Sequence, residues 1–263
     1  MGLLLRIPGV SFTDAAIPIL YNDPVANAGT LDIFDALDAD ISWPPQANPT
    51  EGSDLWKSLL GATPNTASFA GTIGFSGGFT FDDTADIITL PNTFRRGASE
   101  SGVVIFWTKV GTQAFTTGNG VIAWTGDNAA GCQFLCYLDH NTTDANTYLS
   151  MFDANATQQI MAQPLSVLPA SKIAQIGVSF EPEGGGYRIK SFLNGAQVGS
   201  YLRGALATLP QPTASMRVGG TLSGYTNAYT GTFLRALVDD LSVTTPAALV
   251  ALDFATHVDR LAA

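Results

Sequence analysis

Cleaving a glycosidic bond takes two carboxyl groups about 5–5.5 Å apart in retaining enzymes and a wider pair in inverting ones. The glutamates of this chain are Glu51, Glu100, Glu181 and Glu183. Glu181 and Glu183 flank Pro182 just before Gly184-Gly185-Gly186, a composition that suits a solvated hairpin tip. Asp239 and Asp240 are adjacent, so on a strand they point to opposite faces and suit an exposed strand end rather than a dyad. A nucleophilic triad finds no better support. His140 lies among Asp139, Asn141 and Asp144 in a stretch rich in turn formers, and no nucleophile elbow is expected. The glycine-rich runs GFSGGF and EGGGYR lack the Lys-Ser/Thr of a phosphate loop and read as hairpin glycine. No catalytic residue is assigned, and the chain is expected not to be an enzyme.

Binding chemistry leaves more candidates. A sugar site needs an aromatic face to stack on the ring and amide or carboxylate groups for the hydroxyls. Trp124 with Asp127 and Asn128 offers one such set at the end of a strand; the alternative is a Trp124 packed in the core. Tyr225, Asn227 and Tyr229 form a second set between Gly224 and Gly231, which suggests an exposed loop. Zinc is not expected, because Cys132, Cys136, His140 and His257 do not form a ligand cluster in sequence. The two cysteines lie in GCQFLCYL, which reads as one strand. Residues i and i+4 of a strand share a face but sit roughly 13 Å apart, too far for a disulfide, so both are expected as small core residues.

Those residues must be positioned by a fold, and composition narrows it. Of 263 residues, 46% are hydrophobic and only 13% charged, with 27 glycines, 14 prolines and 15 phenylalanines. Disordered chains lack so many aromatic and branched residues, so the glycine and proline mark turns between short strands. The net charge is −10 and Arg95-Arg96 is the only basic pair, which argues against nucleic acid. No apolar stretch reaches the roughly 20 residues of a membrane-spanning helix, and no secretion signal is evident at MGLLLRIPGVSF.

Along the chain, residues 1–28 are apolar but interrupted by Pro8, Pro18 and Pro24, as in an extended arm against a partner subunit or a first edge strand. Residues 43–68 read as a long connection with one helical turn at 54–60. From residue 69, strand-like runs recur every 8–15 residues with turn signals between them, the pattern of an all-β sandwich. In Tyr187–Leu193, positions 187, 189 and 193 face inward and Arg188 and Lys190 outward, while Ser191 and Phe192 break the alternation. Asn194-Gly195 is the dipeptide of a type I′ hairpin, whose two central residues need positive φ. Thr245 before Pro246 reads as an N-cap and first helical position, so a short C-terminal helix follows.

Several of these phrases, in this order, resemble the laminin-G-like branch of the concanavalin A-like lectin and glucanase superfamily. GFTFDDTADIITLPNTF is similar to its opening strands, VVIFWTKV to the core strand that follows, KIAQIGVSFEPEGGGYRIKSFLNGAQVGS to its central hairpin, and RVGG with TFLRALVDDLSV to its closing strand. The resemblance covers roughly residues 30–260. It implies an all-β, two-sheet antiparallel jelly-roll sandwich over residues 29–263, preceded by the N-terminal arm and closed by the short helix. Hydrolases of that architecture carry a Glu-x-Asp-x-x-Glu strand, which is missing here. Relatives often bind calcium at one rim, so Asp139 and Asn141 are candidate calcium ligands if their loop is not an ordinary turn. The mixture of low charge, abundant Gly, Thr and Ala and a proline-cut arm is similar to that of bacteriophage structural proteins. The implied role is a non-catalytic virion tail, spike or decoration protein, made in the host cytoplasm. Its lectin-like domain would bind host surface glycans, and its partners would be other virion proteins or copies of itself. The alternative is a stand-alone carbohydrate-binding module at a cell surface or outside the cell; a glycoside hydrolase ranks behind both.

Overall fold

A computed structural model describes residues 23–61, 63–110, 119–126, 131–141, 146–222 and 229–262. Its strands are β1 (Thr30–Asp35), β2 (Leu55–Lys57), β3 (Thr66–Ala70), β4 (Gly74–Phe75), β5 (Phe79–Phe81), β6 (Ile87–Thr89), β7 (Gly102–Val110) and β8 (Asn119–Thr125). The second half holds β9 (Leu135–Asn141), β10 (Asn146–Phe152), β11 (Gln159–Pro164), β12 (Ile173–Glu183), β13 (Gly186–Leu193), β14 (Ala196–Arg203), β15 (Met216–Gly219) and β16 (Gly231–Asp239). One helix, α1 (Pro246–His257), follows and ends in a 3-10 turn, Val258–Ala262.

The strands form two antiparallel sheets. One runs β14-β13-β12-β7-β16-β5-β4, with β1 also paired to β16; the other runs β11-β10-β9-β8-β15-β6-β3-β2. This is the two-sheet jelly-roll sandwich that the strand spacing and the resemblance imply. Between the sheets lies one large apolar core. Trp43 and Trp56 each meet Phe79 edge to face, with ring centroids 5.1 and 4.9 Å apart. Such pairs contribute about 0.5–1.5 kcal/mol beyond their burial.

Both tryptophans come from the stretch that reads as a connection. The expected helical turn at 54–60 is instead β2, an outer strand in which Leu55 and Lys57 are exposed and Trp56 is fully buried. A period of two places the one large ring inward, and that burial outweighs local helix propensity. Residues 1–22 of the expected arm lie outside the described residues, but Asp23 and Val25 are buried against the sandwich.

The central hairpin forms as the residues dictate. Asn194 and Gly195 have φ of 48° and 81°, joining β13 directly to β14. Tyr187, Ile189 and Leu193 face the main core. Phe192 does not break the alternation: it lies on the outer face, which is itself covered. There Leu249 and Val250 of α1 pack with Phe192, Ile33, Val103, Ile105 and Leu237 in a second core. Thr245 caps this helix through its hydroxyl, which accepts from the Ala248 N–H at 3.3 Å, and Pro246 follows at the first turn.

At the opposite edge the sheets close backbone against backbone. A Cβ on Gly199 of β14 would sit 1.8 Å from the carbonyl oxygen of Ile160 in β11, and the Ser191 hydroxyl donates to that same oxygen at 2.7 Å. Neither main chain can retreat without breaking its ladder. Gly199→Ala is therefore expected to destabilise the protein by about 2 kcal/mol or more, read as a lower urea midpoint at unchanged slope.

Candidate functional site

The outer face of the helix-bearing sheet holds a buried ion cluster. Arg235 of β16 donates from Nη1 to Asp23 at 2.7 Å and Asp35 at 3.2 Å, and from Nε to Asp253 of α1 at 3.1 Å. Arg260 pairs with Asp35 as well. Asp253 also accepts from the Trp107 indole at 2.7 Å and the Gln175 amide at 2.8 Å. His257 lies 3.4 Å from Asp253 and 3.9 Å from Asp23. A bulge makes this possible. The pairing of β16 with β7 slips between Phe233 and Arg235, so Leu234 is an extra residue and Arg235 faces α1 instead of the main core.

Burial opposes the charge on Arg235, but Asp253, Asp23 and Asp35 outweigh it and raise its pKa above the usual arginine value. Burial likewise opposes the Asp253 carboxylate, and Arg235, with help from His257 and Trp107, holds its pKa well below the usual range. Asp23, Asp35 and His257 offer atoms within 4.8 Å of one another, a grouping a metal ion could use. The Arg235 guanidinium already binds both carboxylates there, so the cluster fits a side-chain cation rather than a metal.

The sugar and metal candidates fall elsewhere. Trp124 is 1% exposed and packs on the outer face of the second sheet with Val121, Cys132, Leu135, Tyr137 and Leu222. Its indole donates to the Gly126 carbonyl at 3.1 Å, so it presents no stacking face. Tyr229 is not in an exposed loop. It is fully buried, bonded to Thr108 and, at 3.2 Å, to the Lys109 carbonyl, and burial raises its pKa. Asp127, Asn128, Tyr225 and Asn227 lie outside the described residues. Asp139 and Asn141 belong to β9, between β8 and β10, rather than to a loop with carbonyls turned toward an ion. The cysteines do not share a strand. β9 starts at Leu135, leaving Cys132 before it in the Trp124 cluster and Cys136 in the main core. Burial pushes Cys132 up to about 11 and Cys136 higher still, which makes both poor nucleophiles. Asp239, expected at an exposed end, is buried and accepts from Asn27 and Thr30 at 2.9 and 3.1 Å. Gly74-Phe75-Ser76-Gly77-Gly78 does spell the elbow spacing that was not expected, but Ser76 sits in the β4–β5 hairpin turn, not between a strand and a helix. No histidine bonds it among the described residues.

Strand register, rather than any motif, assembles a row of residues beneath an open cavity. Ile173 of β12 pairs with Lys109 of β7, Lys109 with Thr232 of β16, and Thr232 with Thr80 of β5. Paired residues share a face, so these four form one row across the outer surface, spanning three strand spacings or about 14 Å. A cavity of about 370 Å³ opens over Thr80, Thr232, Lys109 and Ile173, bounded by Leu37, Leu234, Ser76 and Arg260. A second, of about 400 Å³, shares Lys109 and Thr232 and extends to Ser171 and Lys172. Together they make a trough beside the ion cluster, with Arg260 common to both features. Among the described residues no carboxylate lines either cavity.

No family model and no curated protein sequence matches the chain. Solved structures do. Trypanosoma rangeli sialidase in complex with sialic acid superposes with a TM-score of 0.54 at 14% identity, over 90% of this chain and 34% of that one. The receptor-binding domain of botulinum neurotoxin D gives 0.54 at 12%, over 86% and 52%. A botulinum neurotoxin type C structure, whose cell entry depends on two ganglioside molecules, gives 0.55 at 12%, over 82% and 50%. The likeness is one of fold. The chain spans about a third to a half of the length of these structures.

The depressed Asp253 pKa sets a pH dependence. Its ionised form is favoured by folding, so its stabilisation is complete above the unfolded value near 4 and is lost as pH falls below it. Urea titrations are expected to show constant stability from pH 7 to 5 and a decline below about 4. Asp253→Asn, which leaves Arg235 short of a charge partner, is expected to cost about 3 kcal/mol at pH 7 and to flatten that decline.

Proposed function

We propose that this chain is a non-catalytic, glycan-binding β-sandwich module, and that the trough over Thr80, Thr232, Lys109 and Ile173 is where the glycan lies. The observation that carries this reading is the composition of the trough. Threonine and serine hydroxyls and an ammonium group can hydrogen-bond sugar hydroxyls, and Leu37, Leu234 and Ile173 give an apolar flank for a ring face. The carboxylates that hydrolysis would need are lacking from its walls among the described residues. Asp35, which meets the lining residue Arg260, is held by two guanidiniums. The ganglioside dependence of the type C toxin and the sialic acid of the sialidase complex support the reading as the chemistry of proteins with a similar fold.

A panel of immobilised oligosaccharides tests it. The protein is expected to bind at least one class and to release no reducing ends from it. Ser76→Trp, which fills the trough from an exposed turn, is expected to weaken binding about tenfold or more, equivalent to 1.4 kcal/mol, at unchanged thermal stability. Absence of binding across neutral and acidic glycans, or full binding by Ser76→Trp, counts against the site.

A finer reading places the module on a virus particle as a tail, spike or decoration protein that assembles with itself or with other particle proteins. Its support is compositional: few charges, many small residues and a proline-cut apolar stretch at residues 1–28. Light scattering is expected to show an oligomer for the full chain and a monomer after removal of residues 1–22. A full chain that stays monomeric at all concentrations removes this reading and leaves glycan binding untouched.

A further inference from the structure

The charges around the trough oppose the charge of the protein. The chain carries 22 acidic against 12 basic residues, yet among the described residues the walls of the two joined cavities hold Lys109, Lys172 and Arg260 and no acid. The three cations are not equivalent. Lys172 turns its ammonium to the Leu165 carbonyl at 3.0 Å. Arg260 gives Nη2 to Asp35 and leaves Nη1 without an acceptor among the described residues. Lys109 is exposed, sits in the middle of the row, and makes no ion pair with any described residue. The segment that continues from β7, residues 111–118, contains no acidic side chain. An exposed lysine in an acidic protein ordinarily has many carboxylates to choose from; here the fold surrounds it with hydroxyls and apolar groups instead.

From this we infer that the trough takes an acidic oligosaccharide, a sugar chain bearing a carboxylate or sulfate group that pairs with Lys109. The hydroxyls of Thr232 and Thr80 then lie one and two strands to one side of the charge, in reach of the ring hydroxyls of the same or the next unit. Ile173 lies one strand to the other side and takes an apolar ring face. Arg260 stands at the rim with its charge shared with Asp35, which leaves Lys109 as the cation available to the ligand. The inference rests on the glycan-binding reading and assigns its ligand class: overall repulsion from a chain of net charge −10 is overcome only where the local field is reversed.

The test compares three oligosaccharides of equal length on the intact protein by calorimetry: an oligogalacturonate, its neutral oligogalactose counterpart and a sulfated oligogalactose. At least one acidic form is expected to bind roughly tenfold or more tighter than the neutral one, and to weaken severalfold between low and high salt. Lys109→Ala is expected to weaken acidic binding roughly ten- to hundredfold, the loss of a charged hydrogen bond, and neutral binding severalfold less, at unchanged melting temperature. Lys109→Arg is expected to keep acidic binding. The two acidic arms distinguish carboxylate from sulfate as the recognised group. Equal binding of neutral and acidic chains, or equal loss of both in Lys109→Ala, overturns the inference while glycan binding stands. Binding of none of the three, together with silence across the wider glycan panel, overturns both.

Discussion

A guanidinium taken out of water loses several kcal/mol of hydration unless acceptors replace it on nearly every side. Arg235 is fully buried, and three carboxylates from three separate parts of the chain replace that water at Nη1 and Nε, Nη2 having no acceptor among the described residues: Asp23 before the first strand, Asp35 at the end of β1, and Asp253 in α1. Each of those carboxylates would itself be costly to bury alone. The cluster therefore forms all together or not at all, and the elements that bring its members must arrive in register. The bulge at Leu234 is part of the same requirement, because without the extra residue Arg235 would point into the main core, among phenylalanines.

The placement of α1 follows from that constraint. Apolar contacts from Leu249 and Val250 hold the helix against the sheet, but they would tolerate a shift along it; Asp253 on Arg235 and Trp107 does not. The helix covers one part of the outer face, and the 3-10 turn after it carries Arg260 beside uncovered strands. The trough is what remains of the sheet surface beyond that end. Its floor is set by β-pairing and its rim by the ion cluster, so the trough is held by rigid parts on both sides.

Local chemistry was legible in the sequence wherever one or two neighbouring residues decide the conformation. Asn194-Gly195 has only one comfortable turn between two strands, and Thr245-Pro246 only one comfortable place at a helix start. The alternation in β13 was also readable, although Phe192 looked like a defect because the helix that covers the outer face lies 50 residues away in the chain. What could not be read was whether a residue near a turn is covered. Trp124 and Tyr229 have the neighbours of surface aromatics, yet Trp124 is buried by its own strand, the next one and the distant Leu222, and Tyr229 by β7, more than 100 residues away. Trp43 and Trp56 sit in loop-like surroundings and reach the main core, Trp56 because β2 pairs with β3 at the edge of the second sheet and turns that ring inward. The row Thr80, Thr232, Lys109 and Ile173 depends on pairing between four strands dispersed over the chain, and the bulge that aims Arg235 adds one residue to an otherwise regular alternation. Neither leaves a local pattern.

The Arg235 cluster joins Asp23 to a residue 212 positions later, and Asp35 to Arg260, 225 positions later. The chain thus enters and leaves the sandwich at the same place. Domains with adjoining ends can be spliced into a loop of a larger protein with little disturbance of the host, since both host strands meet the guest at one point. The same geometry makes the tether directional. A pull applied through residues on either side of the domain loads the buried ion pairs first, and would peel the entry segment and α1 from the sheet before any strand of the sandwich carries force.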